Sequence, residues 1–246
     1  MRVFITGSAD GLGRLAASSL LGAGHDVVVH VRNADRRTAI ADLIDRGAEL
    51  VVGDLADLSQ VRDVAAQANA LGPMDAVIHN AGVYSGPSVA AVNVVAPFVL
   101  TAAMHRPQRL VYLSSGMHRG GRPFTQVNPF TTGVSLVTYS DSKLFVTTLA
   151  LAVARLWPDV LSNPVDPGWV PTRMGGSSAP DDLRLGHLTQ EWLATSTDAD
   201  ALTTGGYWHH QRRREPHPSA RDERFQAGLL DALAEVTGVA IEADGR

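Results

Sequence analysis

A tyrosine and a lysine four residues apart, Tyr139 and Lys143, stand in the run TYSDSKLFVTTLALAVARL. On a helix, positions i and i+4 share a face, so the phenol and the ammonium project side by side. A free phenol titrates near pH ~10, and a cation about 4–6 Å away favours the phenolate by roughly one to three units. The pair can therefore serve as an acid or base near neutral pH. A tyrosine packed beside a snorkelling lysine has the same spelling, so the motif gains weight only from its surroundings. Upstream, LVYLSSG ends an apolar run in Ser114 and Ser115. One of these hydroxyls can donate to a carbonyl oxygen on which negative charge develops, or the pair can be plain turn residues.

A second group of residues reads as a nucleotide site. TGSADGLG places Gly7, Gly11 and Gly13 between an apolar run and a helical pattern rich in Leu and Ala. Such glycines let the backbone approach a pyrophosphate, which amides and the positive end of a helix dipole stabilise. The spacing differs from the commoner dinucleotide fingerprint, and the Gly-Lys-Ser/Thr of a triphosphate loop is absent. In VVVHVRN, Arg32 stands where an NAD site more often carries an acid for the ribose hydroxyls. A guanidinium there can grip a 2′-phosphate, which favours NADP(H) over NAD(H). Arg36 and Arg37 either add to that field or are simply exposed. In GDL, Asp54 precedes Leu55 and can accept from an adenine amino group or cap a turn. In NAG, Asn80 can brace the sheet near the ribose while Ala81 and Gly82 leave room for it.

Positioning these residues requires strands that end together. Six short β-branched runs (RVFIT, DVVVHV, ELVVG, MDAVIH, RLVYLS and VLSNPVD) alternate with helical patterns over residues 11–23, 35–46, 58–70, about 90–104, and the run through Tyr139. Near-continuous apolar strands are buried on both faces. The expected fold is therefore α/β: a single-domain, Rossmann-type, doubly wound parallel sheet with helices on both faces. In such sheets ligands bind beyond the carboxyl ends of the strands, where strand order reverses. Each candidate group follows a predicted strand. Residues 172–204, with glycines and Pro180 ahead of DDLRLGHLTQEWLA, read as a lid carrying one or two helices. Residues 211–221, including the arginines 212–214, read as a solvated loop.

Composition narrows the classes. A length of 246 residues suits one α/β domain, and 45% hydrophobic with 19% charged residues is ordinary globular composition. A net charge of −4 and a pI near 6.1 give no electrostatic case for nucleic acid. The absence of cysteine excludes disulfides and thiolate metal ligands. The opening MRVFITG runs straight into a strand pattern, and no apolar run reaches about 18 residues, so a cytoplasmic protein without a membrane span is expected. His209, His210, His217 and Glu215 match no metal-site spacing, and no metal is expected.

TGSADGLG, NAG, SSG, YSDSK and DPGWVPT resemble, in order and approximate spacing, the short-chain dehydrogenase/reductase family, from Arg2 to about Val239. The long interval from Ser115 to Tyr139, and TTGGYW followed by a basic loop and a closing helix, resemble its retinol-dehydrogenase-like branch most. The resemblance implies Tyr139 as proton donor or acceptor, with Lys143 lowering its pKa and holding the nicotinamide ribose. It selects Ser115, the second serine, to orient the carbonyl. It matches Asn93, in VNVVAPFVLT, to a residue that supports a water-linked proton relay through Lys143. Thr6, Gly7, Gly11, Leu12 and Gly13 fall in the cofactor loop. Pro167, Gly168, Val170 and Thr172 fall in the segment that passes the nicotinamide, with the Val170 backbone and the Thr172 hydroxyl near its carboxamide. The implied activity is hydride transfer between NADP(H) and a small carbonyl or alcohol. The alternative is a non-catalytic NADP(H)-binding redox sensor, against which intact Ser115, Tyr139 and Lys143 speak. The segment VYSGPSVAAV is shorter than the family usual, implying a more open cleft, with Met117, His118, Trp169 and Met174 as lining candidates. Relatives often dimerise through the helices holding Asn93 and Tyr139, so a homodimer is one expectation.

Overall fold

The computed structural model describes residues 1–124, 128–131 and 137–243. Part of the interval between Ser115 and Tyr139 thus lies outside the described residues. Eight strands form one sheet in the order β3-β2-β1-β4-β5-β6-β7-β8. They are β1 (Arg2–Ile5), β2 (Asp26–Val31), β3 (Glu49–Val52), β4 (Ala76–His79), β5 (Arg109–Leu113), β6 (Leu161–Asp166), β7 (Tyr207–His209) and β8 (Arg212–Arg214). All neighbours pair in parallel except β7 and β8. Strand order reverses between β1 and β4, where Ile5 lies beside Ile78, so their carboxyl ends diverge and leave a crevice.

Among the described residues seven α-helices cover the two faces: α1 (Gly11–Gly22), α2 (Ala41–Asp45), α3 (Leu58–Ala70), α4 (Ala96–Ala103), α5 (Tyr139–Leu156), α6 (Leu183–Thr195) and α7 (Glu223–Thr237). The period of two along each strand divides the core. Phe4, Val28, Val77 and Tyr112 face α3, α4, α5 and α7, whereas Val3, Ile5, Val29 and Ile78 face α1, α2 and α6. This double burial explains the unbroken apolar strands. No helix among the described residues is long and apolar enough to cross a membrane.

Several elements differ from expectation. Residues 35–46 form 3-10 turns over Ala34–Ile40 and only the short α2, because Ile40 and Leu43 are the only buried side chains anchoring the stretch. The helix expected near 90–104 opens with a π-turn over Ala91–Val95 before α4. Pro97 has no amide to close on the carbonyl four residues back, that of Asn93, which loosens this turn. Residues 212–214 are not loop but the edge strand β8, joined to β7 through His210 and Gln211 at φ 48° and 58°. Their three exposed arginines keep that edge from pairing with another chain. In the expected lid, α6 buries Leu193 and Ala194 against the sheet, and only Thr172, Arg173 and Met174 reach the cleft. Residues 141–153 of α5 are all buried within one chain, with α7 packed along it. That stretch of α5 is therefore covered within one chain.

Candidate active site

A cleft of about 590 Å³ opens at the β1/β4 switch point. Its floor is the glycine loop. Gly7 adopts φ +68°, and a Cβ there would stand 2.9 Å from the Ala81 Cα. A Cβ on Gly13 would fall 2.3 Å from the Asn80 amide nitrogen, so helix α1 approaches β4 only because that residue is glycine. Asn80 uses the same amide to donate to the carbonyls of Thr6 (2.9 Å) and Gly7 (3.3 Å), bracing the loop as its position suggested. No side chain caps the first turn of α1, so its end is open toward the cleft. A glycine cradle below an uncapped helix N-terminus fits a pyrophosphate on this structure's own terms.

The remaining cofactor candidates divide by exposure. Gly7, Gly11, Leu12, Arg32, Asp54, Leu55, Asn80, Ala81, Gly82, Tyr139, Lys143, Pro167 and Thr172 line the cleft. Thr6, Gly13, Gly168 and Val170 stand behind its wall. Thr6 accepts from the Ala81 amide at 3.0 Å, and Val170 is buried beneath Gly186. Arg32 reaches the cleft from the end of β2 and makes no ion pair among the described residues, leaving its guanidinium available for an anion. Asp54 is occupied as a turn residue, accepting from Ala56 N at 2.9 Å, while still lining the wall.

The chemical end of the cleft is set by the start of α5. Thr138 and Asp141 form a reciprocal capping box, which fixes Tyr139 as the first helical residue. The Ser142 hydroxyl donates to the Tyr139 carbonyl at 2.7 Å and receives the Asn93 amide at 3.0 Å. Asn93 also clasps Val83, accepting from its N–H (2.8 Å) and donating to its carbonyl (2.9 Å). Its side chain is thus spent on architecture. The two serines separate: Ser114 is buried against Thr147 (2.6 Å), while half-buried Ser115 stands near enough to Tyr139 to ease ionisation of its phenol. Lys143, 4% exposed, donates to the Leu113 carbonyl at 2.7 Å, with its Nζ 5.5 Å from the Tyr139 ring centre.

Residues 1–107 match the short chain dehydrogenase family. An uncharacterized oxidoreductase of Emericella nidulans is 36% identical over 260 residues, spanning 98% of each chain. The short-chain dehydrogenase chyC of Penicillium rubens is 33% identical over 257 residues, covering 98% of this chain and 99% of that one. The chain belongs to the short-chain dehydrogenase family. A solved relative, a blue fluorescent protein from a metagenomic library in complex with NADPH, superposes with a TM-score of 0.70 at 25% identity, covering 85% of this chain and 95% of that one.

As an oxidoreductase of this family, the protein corrects two sequence expectations. Burial pushes the Tyr139 phenol up to about 12, with the Ser115 hydrogen bond opposing and Asp166 and Tyr84 adding to the rise. Lys143, with its Nζ 5.5 Å from the ring centre, does not offset that rise. Burial instead brings Lys143 itself down to about 8, with the Asp166 carboxylate pulling the other way. His118 does not line the cleft: it is wholly buried, bonded to the Ser115 carbonyl (2.8 Å) and accepting from His217 N (2.9 Å).

Some site residues escaped the sequence reading. His30 accepts from Gly7 N–H (3.1 Å) and its other nitrogen meets the Gly53 carbonyl (2.8 Å), tying the glycine loop to the end of β3. Asp10 pairs with Arg36 (2.9 Å) and Arg173 (3.6 Å), joining the loop to both rims. Tyr84 rests against the Tyr139 ring with centres 4.8 Å apart. The first two join residues distant in the chain, and Tyr84 lies in an apparently featureless loop.

Proposed function

We propose that this dehydrogenase transfers hydride between NADP(H) and a small-molecule carbonyl or alcohol. The observation that carries the reading is the meeting of Tyr139 and Lys143, with Ser115 beside Tyr139, at one end of a cleft whose glycine loop and Arg32 suit a phosphorylated dinucleotide. A bound nicotinamide supplies the hydride for reduction and takes it in the reverse direction. In reduction, Ser115 donates to the carbonyl oxygen and polarises it. Tyr139, a neutral phenol at pH 7, gives its proton to that oxygen as the carbon–hydrogen bond forms. Lys143, its Nζ 5.5 Å from the Tyr139 ring centre, stabilises the phenolate that is left. Arg32 grips the 2′-phosphate, favouring NADP(H), and the NADPH complex of the solved relative supports that preference.

The experiment is to mix the purified protein with NADPH and a panel of aldehydes, ketones and quinones, following absorbance of the reduced nicotinamide. Consumption dependent on a carbonyl supports the reading. Tight NADPH binding without consumption across the panel favours a redox sensor instead.

A further inference from the structure

Among the described residues, large apolar side chains are exposed at six positions: Met1, Tyr84, Met117, Trp169, Met174 and Leu202. Two of them, Tyr84 and Met174, touch Tyr139, and two more, Met117 and Trp169, stand one contact further out. Tyr84, 53% exposed, packs its ring against that of Tyr139. The Met174 sulfur lies 3.9 Å from the Tyr139 oxygen. Met117 donates its amide to the Ser115 Oγ at 3.2 Å. Trp169 is 58% exposed, and its Nε1–H reaches the Gly175 carbonyl, next to Met174, at 2.8 Å.

Exposure of this kind usually means a loose side chain, yet Trp169 is fastened on three sides. Its amide donates to Asp181 Oδ2 at 2.6 Å, its carbonyl accepts from Asp181 N at 3.1 Å, and its indole nitrogen is spent on Gly175. Gly168, at φ +82°, makes this possible, since a Cβ there would fall 2.6 Å from the same Asp181 oxygen. With every polar group satisfied within the chain, what Trp169 offers outward is a flat hydrocarbon face held in place. A fixed indole, a fixed phenol ring and two polarisable thioethers are suited to an aromatic ring more than to a flexible chain, because flat faces stack and sulfur favours ring edges.

We infer that the substrate carries its reactive carbonyl or carbinol on a planar aromatic system, with Trp169 and Tyr84 as specificity-determining platforms. The inference rests on the hydride-transfer reading and names its substrate class. Trp169 touches neither the proton path nor the glycine loop, so its replacement separates recognition from chemistry.

The test compares naphthaldehyde with undecanal, which has the same number of carbon atoms, as substrates of the full-length protein with NADPH. The ratio of their kcat/KM values falls about tenfold in Trp169→Ala, chiefly through KM for naphthaldehyde, and Trp169→Phe restores most of it. In the presence of NADPH, naphthaldehyde quenches indole fluorescence in the wild type, and that component is missing in Trp169→Phe. Turnover with the ratio unchanged in Trp169→Ala overturns the aromatic platform while leaving hydride transfer standing. Quenching through Trp169 without turnover of either aldehyde upholds the platform and counts against hydride transfer. Absence of both Trp169-dependent quenching and a changed ratio refutes the inference.

Discussion

Replacing Lys143 by methionine, which keeps the stem and removes the charge, should make the cofactor-free protein more stable while abolishing turnover. The ammonium is almost fully buried and donates to the Leu113 carbonyl. Burial lowers its pKa from 10.5 to about 8, which at ~1.36 kcal/mol per unit corresponds to roughly 3 kcal/mol of destabilisation at neutral pH. Stranding the Leu113 carbonyl costs about 1–2 kcal/mol in return. The net gain is about 1–2 kcal/mol, a rise in Tm of roughly 2–8 °C for a chain of this size. The sign depends on pH. Below pH 8 the lysine is protonated in both folded and unfolded chains, and the penalty is complete. Between 8 and 10.5 the unfolded chain holds a proton that the folded one has released, so wild-type stability rises with pH and the variant's advantage shrinks. Thermal or urea unfolding at pH 7 and again near pH 10 measures this directly. A variant less stable at pH 7, or an advantage unchanged by pH, would refute the claim that the ammonium is held at a cost.

Three further outcomes follow from the same geometry. Arg32→Asp should weaken NADPH binding about 10–100-fold and leave NADH nearly unchanged, read by nicotinamide fluorescence titration; an unchanged preference removes the phosphate contact. Gly13→Ala should lose about 1–3 kcal/mol of stability, and NADPH affinity with it, because the new methyl would lie 2.6 Å from the Gly7 carbonyl and closer still to Asn80. In light scattering the protein should run with the mass of one chain, since α7 covers α5; a dimer abolished by charges placed on α5 would contradict that packing.

Pattern was a good guide wherever one physical rule dominates. The apolar runs marked six strands because a sheet covered on both faces demands them, and the chemistry lay at their carboxyl ends because strand order reverses between β1 and β4. The rule weakened where burial is thin: residues 35–46 have helical spacing, yet two buried side chains do not hold a full α-helix. Spacing placed Lys143 beside Tyr139 correctly but could not supply the local dielectric. Burial raises the phenol where the neighbouring cation alone would have lowered it. His118 resembled cleft lining because it follows a serine at a strand end, whereas the turn beyond Ser115 folds it inward onto Tyr207. His30 and Asp10 carried no local signal at all, since each acts on partners more than 20 positions away in the chain.

The most direct test of the account is Tyr139→Phe, assayed for NADPH binding and for single-turnover oxidation of NADPH by a carbonyl that the wild type reduces. NADPH affinity should stay within about threefold, while the hydride-transfer rate falls by about 10²-fold or more, the range general acid catalysis supplies. A variant that binds NADPH normally and still transfers hydride at a rate near the wild type's would contradict the assignment of Tyr139 as the proton donor.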